Sequence, residues 1–278
     1  CISSLRRHHG DTDPYHLISE ADAWDTLSLL AEVPRQISCG TLRQACGLEA
    51  CPQSAQLRKW LASEDFEDVI AVPENPNALG ILDLSISSPD LTGRDSDDTA
   101  DFSNRVFQKM RSDGLKLGIG RFMEPRGFYL ADEFEGRSGD PRERRTIHLG
   151  IDVFQEPGTE IHAPLAGRVH TIRENKNRLD YGPTVILEHT APSGLFWTLY
   201  GHLEKASVEN LKTGDSIDAG QPIARIGTYP ENGDWPPHLH FQLMRDMMGN
   251  QGDFPGVASK KDLEHYQKIC PDPNFILR

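Results

Sequence analysis

Five side chains in the second half of the sequence are of the kinds that hold a metal or move a proton. They fall in three short strings: His148-Leu149-Gly150-Ile151-Asp152, Tyr200-Gly201-His202-Leu203, and Pro236-Pro237-His238-Leu239-His240-Phe241. Side chains alternate between faces along a strand, so His238 and His240 point the same way while Leu239 and Phe241 enter the opposite layer. Gly150 permits the close or unusual backbone that a turn bringing His148 and Asp152 to one site would need. Zinc accepts neutral imidazole nitrogen and carboxylate oxygen, and a catalytic site keeps one position open. Two histidines and one aspartate supply three ligands, which leaves two histidines to work beside the metal. A single histidine is more often a surface or satisfied core residue, so the weight rests on the three strings together. The helical His-Glu-x-x-His pattern is absent, so the site must be built on strands.

The surrounding sequence offers those strands. Residues 159–163, 167–172, 184–189, 195–199, 222–226 and 238–243 are short β-branched or aromatic runs separated by Gly, Pro and Asn-Gly turns. That texture predicts a mainly β domain made of many short strands. Upstream, helical spacing of apolar residues predicts helices over 19–31, 54–62 and 102–111, and β-rich runs predict strands at 69–72 and 79–86. The acidic, turn-rich stretch 87–101 is expected to be a linker or solvated loop.

Composition narrows the function classes. The 278 residues carry 42 acidic and 29 basic side chains, a net charge of −13, which argues against a nucleic-acid surface. No apolar run is long enough to span a membrane. The five cysteines (Cys1, Cys39, Cys46, Cys51 and Cys270) are odd in number and read as free thiols of a reducing compartment. The chain begins at Cys1 and shows no secretory segment, so a piece of a longer cytoplasmic protein is expected, with a periplasmic or extracellular location as the alternative.

The three strings resemble those of the lysostaphin-type (LytM-like) zinc endopeptidases. The framing text agrees: Gly158-Thr159-Glu160-Ile161-His162-Ala163-Pro164, Ala166-Gly167-Arg168-Val169 and Thr213-Gly214-Asp215-Ser216-Ile217-Asp218-Ala219-Gly220-Gln221. The resemblance implies a small antiparallel β-sheet domain with zinc in a groove across the sheet. It implies that His148, Asp152 and His240 bind the metal, and that His202 and His238 are the catalytic residues beside it. It also implies a zinc metalloendopeptidase acting on short, unhindered peptides such as glycine-containing or wall-derived cross-links.

One departure stands out: Glu231-Asn232-Gly233-Asp234-Trp235-Pro236-Pro237 replaces the Gly- and Ser-rich stretch usual before His-x-His. The flanks are similar to an arrangement in which such a domain lies between a kinase-like module and a class III aminotransferase module. The expected division is therefore a mixed α/β region over 1–110, the lysostaphin-like domain over 111–270, and a tail over 271–278. The expected partner is a peptide or small amine-containing substrate, with no nucleic acid and no membrane. The alternative is a non-catalytic metal-bearing binding or spacer module. Just before the first string, Glu124, Arg126 and Tyr129 either form a groove wall that grips a substrate carboxylate or close a structural ion pair. His162, His170 and His189 are expected to be ordinary strand or loop residues, with a place flanking the groove as the alternative for His162 and His170.

Overall fold

The computed structural model describes residues 54–91, 95–136 and 138–277. The helix expected over 19–31, and every cysteine except Cys270, lie outside them. Cys270 is buried, and its Sγ accepts from Gln242 Nε2 at 3.6 Å.

The first described element, α1 (Ser54–Leu61), buries Leu57 and Leu61, one turn apart, so a single face meets the core. A short strand β1 (Leu79–Ile81) follows, then α2 (Thr99–Ser112) and β2 (Leu117–Gly120). The side chain of Asp98 accepts from the Asp101 N–H and caps α2, so the acidic stretch ends as a helix start rather than as loop. Ten further strands complete the domain. In order they are β3 (Arg145–His148), β4 (Ile151–Phe154), β5 (Glu160–His162), β6 (Gly167–Asn175), β7 (Gly182–Ala191), β8 (Gly194–Gly201), β9 (Ser216–Ile217), β10 (Pro222–Arg225), β11 (Leu239–Met244) and β12 (Val257–Ser259). A one-turn helix α3 (Lys205–Val208) lies between β8 and β9, and α4 (Leu263–Ile269) and α5 (Asn274–Leu277) follow β12.

The fold is mainly β. Eight strands form one sheet in the order β1-β2-β4-β11-β8-β7-β6-β9, and β10 pairs with β5 and β12 with β3 in two small ribbons. All pairs are antiparallel except β1 with β2, which run parallel. The run expected as a strand at 69–72 makes only one bridge, Ile70 to Ile161. The strand expected over 79–86 stops at Ile81, ahead of Asp83, whose side chain accepts from the Ser85 N–H in a local turn.

Strand alternation sorts the sheet into two faces. Ile151, Val153, Val185, Leu187, Tyr200, Leu239, Phe241 and Leu243 join one core, with Leu57, Leu61 and Ile276 packed on it. Each such side chain stabilises the fold by about 1.5–3 kcal/mol when fully buried. The opposite face holds Leu149, Ile186, Leu199, Met244 and Phe254. Residues 82–134 add a third, aromatic cluster containing Phe102, Phe128, Tyr129 and Phe134, joined by Phe154 and Trp235. No helix among the described residues is long and apolar enough to cross a membrane.

Candidate metal centre and its proton-handling histidines

The register of the sheet places the ligand candidates. His240 on β11 lies directly opposite Asp152 on β4 and opposite Gly201 on β8. His148 ends β3, two residues before β4 resumes the chain. The intervening Gly150 is required by packing: a Cβ there would lie 2.6 Å from His240 Nε2 and 2.8 Å from the Phe241 carbonyl oxygen. The turn therefore passes close enough to bring His148 against His240.

Three atoms converge. His148 Nε2 is 2.9 Å from His240 Nδ1 and 3.1 Å from Asp152 Oδ1, and His240 Nδ1 is 3.2 Å from the same oxygen. All three residues are buried, and together they form a group able to hold a metal ion. The outer nitrogens fix the tautomers. His148 Nδ1 donates to the Arg121 carbonyl at 3.1 Å, and His240 Nε2 donates to Gln242 Oε1 at 2.9 Å. The Gln242 amide is itself oriented, because its Nε2 donates to the Pro255 carbonyl. Each inner nitrogen is thus a lone pair. Burial brings His148 down to about 3. Burial alone would raise Asp152, but His148, Arg126 and His238 overrule it and hold the carboxyl well below the usual range. The hydrogen-bond pattern thus turns one nitrogen of each ring and one carboxylate oxygen toward a common point.

A second pair of imidazoles stands beside this group. His202 Nδ1 donates to the Asn232 carbonyl at 2.7 Å, and His238 Nδ1 donates to the Pro236 carbonyl at 2.6 Å. Both keep Nε2 unprotonated, and His238 Nε2 lies 3.5 Å from Asp152 Oδ1. The two rings are 4.4 Å apart. His202 has φ +64°, a left-handed conformation uncommon for a side chain of this size, and it follows the last residue of β8. Phe154 stacks on His238 at 4.8 Å. Burial, reinforced by His238 and His240, holds His202 well below its ordinary pKa. Burial also lowers His238, against the pull of Asp152.

All five sequence-predicted residues line a single cavity of about 420 Å³. Its other walls include Phe102, Phe128, Tyr129, Phe134 and Trp235, so the stretch upstream of β3 narrows the groove with aromatic rings. Sequence reasoning missed Gln242. The signal was present, since Gln242 continues the alternation of His238 and His240 on one face of β11. Of the two readings of the 124–129 segment, the structural ion pair is the observed one. Arg126 is 2% exposed, with Nη1 at 2.6 Å from Asp152 Oδ2 and 3.0 Å from the Tyr129 hydroxyl, and Nε at 3.1 Å from Glu124 Oε2. Its Nε and Nη1 are engaged with protein groups, and Nη2 makes no hydrogen bond. His189 is an ordinary strand residue: Nδ1 meets the Ala166 carbonyl at 3.0 Å and Nε2 meets Thr198 Oγ1 at 2.8 Å.

Residues 146–253 match the family model of Peptidase family M23. Lysostaphin of Staphylococcus staphylolyticus is 30% identical over 131 residues, which cover 46% of this chain and 25% of that protein. The chain therefore spans about a quarter of that curated relative's length. Among solved structures, the catalytic domain of the antimicrobial peptidase lysostaphin from Staphylococcus simulans is 25% identical. That match covers 55% of this chain and 92% of that one, with a TM-score of 0.33. The catalytic domain of a mutant of the prophage-encoded M23 protein EnpA from Enterococcus faecalis is 26% identical, over 41% of this chain and 77% of that one, with a TM-score of 0.31. The family and sequence matches support a lysostaphin-like M23 peptidase domain within the chain, in line with the resemblance carried by the three strings. All five site residues fall inside the matched segment, whereas Glu124, Arg126 and Tyr129 precede it.

Proposed function

We propose that this domain is a zinc-dependent hydrolase of amide bonds in short peptides, with His148, Asp152 and His240 holding the metal and His202 and His238 handling the proton. The observation that carries this reading is the convergence of three unprotonated acceptors at 2.9–3.2 Å in a buried site. Such a group is repulsive by itself and becomes favourable around a cation. Zinc bonds of about 2.0–2.1 Å at tetrahedral angles place ligand atoms roughly 3.3 Å apart, so the donor set fits with adjustments of a few tenths of an ångström. When bound, zinc supplies Lewis-acid polarisation of a carbonyl and a nucleophilic water at neutral pH.

The chain's own residues do the rest. His238 offers an unprotonated Nε2 beside Asp152, so it takes the proton of the attacking water, and the resulting imidazolium is stabilised by that carboxylate. That proton then passes from the His238 imidazolium to the leaving amine by way of the unprotonated Nε2 of His202, whose ring is packed against His238. The Pro236 and Asn232 carbonyls hold both rings in the tautomer this requires. Phe154 and Trp235 pack against the two imidazoles and keep bulk water from them.

The narrow aromatic cleft favours a small peptide- or amine-derived molecule over a wall polymer, which also fits the proposed setting within a longer cytoplasmic, multi-module protein. The test is a screen of zinc-loaded protein against short peptides, including glycine-containing and wall-derived cross-links, with His238→Ala as control. New amino termini released by the parent and not by the variant are expected. Zinc-loaded protein that binds these peptides without cleaving any of them would replace the hydrolase with a binding module.

A further inference from the structure

Two of the three ligand candidates are gripped by one turn, residues 121–126, which lies outside the segment that matches the peptidase family. The Arg121 carbonyl accepts from His148 Nδ1, and the Arg126 guanidinium holds Asp152 Oδ2 at 2.6 Å. The turn is pinned to β3 by backbone hydrogen bonds from Met123 N to the His148 carbonyl, from His148 N to the Glu124 carbonyl and from Arg126 N to the Thr146 carbonyl. Buried Glu124 sits between the two arginines, accepting from Arg121 Nε at 3.0 Å and from Arg126 Nε at 3.1 Å. Across the β2–β4 pairing Gly120 faces Asp152, and a Cβ at Gly120 would lie 2.8 Å from Arg126 Nη2. The end of β2 thus leaves a vacant side-chain position that the guanidinium fills. Phe128 and Tyr129 lie 5.7 and 5.9 Å from its central carbon and close over it.

We propose that Arg126 is a positioning residue for the metal: it occupies Asp152 Oδ2, so that Oδ1 alone meets the two imidazoles. This rests on the metal reading given above. A buried arginine beside a metal carboxylate would repel a cation if its charge were uncompensated, and Glu124 supplies the compensation. The planar fork is essential, because Nε must reach Glu124 while Nη1 reaches both Asp152 and Tyr129. The turn is then a working part of the site even though the family match begins after it.

The experiment uses the full chain, stripped of metal and titrated with zinc against a chromophoric chelator. Removing Arg126 alone would leave the second oxygen of buried Glu124 without its partner, so the main variant is the double substitution E124Q/R126M. Its zinc affinity is expected to fall about 10–100-fold, the usual effect of losing a group that orients a ligand. R126K, which keeps the charge but not the fork, should fall between that variant and the parent. If the double variant fails to fold, R126K carries the test alone. Cobalt(II) substitution gives a second readout. Freeing Oδ2 lets the carboxylate offer both oxygens, so the visible d–d band should lose intensity in either variant. Parent-like zinc affinity together with an unchanged cobalt spectrum would overturn the assignment. A parent chain that binds no zinc would overturn the metal reading itself, a separate outcome.

Discussion

The two faces of the central sheet each bury histidine, and the difference between them shows what marks a site. On one face His189 on β7 accepts at Nε2 from the hydroxyl of Thr198 on β8, which lies 3.1 Å from the Tyr200 hydroxyl. On the other face lie His148, Asp152 and His240. Burial holds His189 down to about 4 and His148 down to about 3, so neither depth nor pKa separates them. Counting protons does. Both nitrogens of His189 have protein partners of suitable character, so its circuit is closed. In the other group every proton has been drawn outward, to the Arg121 carbonyl and Gln242 Oε1, and three lone pairs face one another. A closed network gives stability, whereas an inward-facing set of acceptors calls for a cation.

The contrast can be broken most severely at Asp152. Asp152→Ala should lose nearly all zinc after dialysis while remaining folded, and elemental analysis decides it. Full zinc content in that variant would place the site elsewhere. Next in size, His202→Ala and His238→Ala should each keep zinc near stoichiometry and slow peptide turnover by about 10²–10⁴. Loss of zinc in either would merge the two pairs of imidazoles into one ligand set. Gln242→Leu should weaken zinc about 10–100-fold by freeing the His240 tautomer, as measured by chelator competition.

The smallest effect belongs to the opposite face. His189 titrates near 6.5 when unfolded and near 4 when folded. Between those values the unfolded chain holds the extra proton. Its stabilising contribution is therefore complete above pH 6.5 and is lost as the pH falls toward 4, at up to about 1.4 kcal/mol per pH unit. His189→Gln should flatten that part of the stability–pH curve, measured by urea unfolding, and leave zinc affinity unchanged.

Much of this was legible beforehand because strand alternation and the three strings are local signals. The spacing of His238 and His240 states their shared face, and the Gly-and-Pro punctuation marks most of β5 to β11. Other features depend on distant partners. Arg126 reaches Asp152 across 26 positions, and no short-range pattern announces that contact. The parallel pairing of β1 with β2 depends on α2, which crosses between them, and the early end of β1 follows from the local turn at Asp83. The run at 69–72 has strand-like composition but makes only the single bridge from Ile70, since β5 takes β10 as its ladder partner. Composition gives a run its propensity, and a pairing partner makes it a strand.

The claim that the cluster holds no proton between its ligands can be measured directly. Zinc is titrated into metal-free protein near pH 7 by calorimetry, in buffers that differ in ionisation enthalpy, so that the observed heat reports protons released per metal bound. With the outer nitrogen of each ring already carrying its proton and Asp152 ionised, one zinc should bind per chain and release no more than the proton its bound water gives up near pH 7. Release of two or more protons per zinc would show that the metal-free cluster is bridged by protons and would contradict the claim.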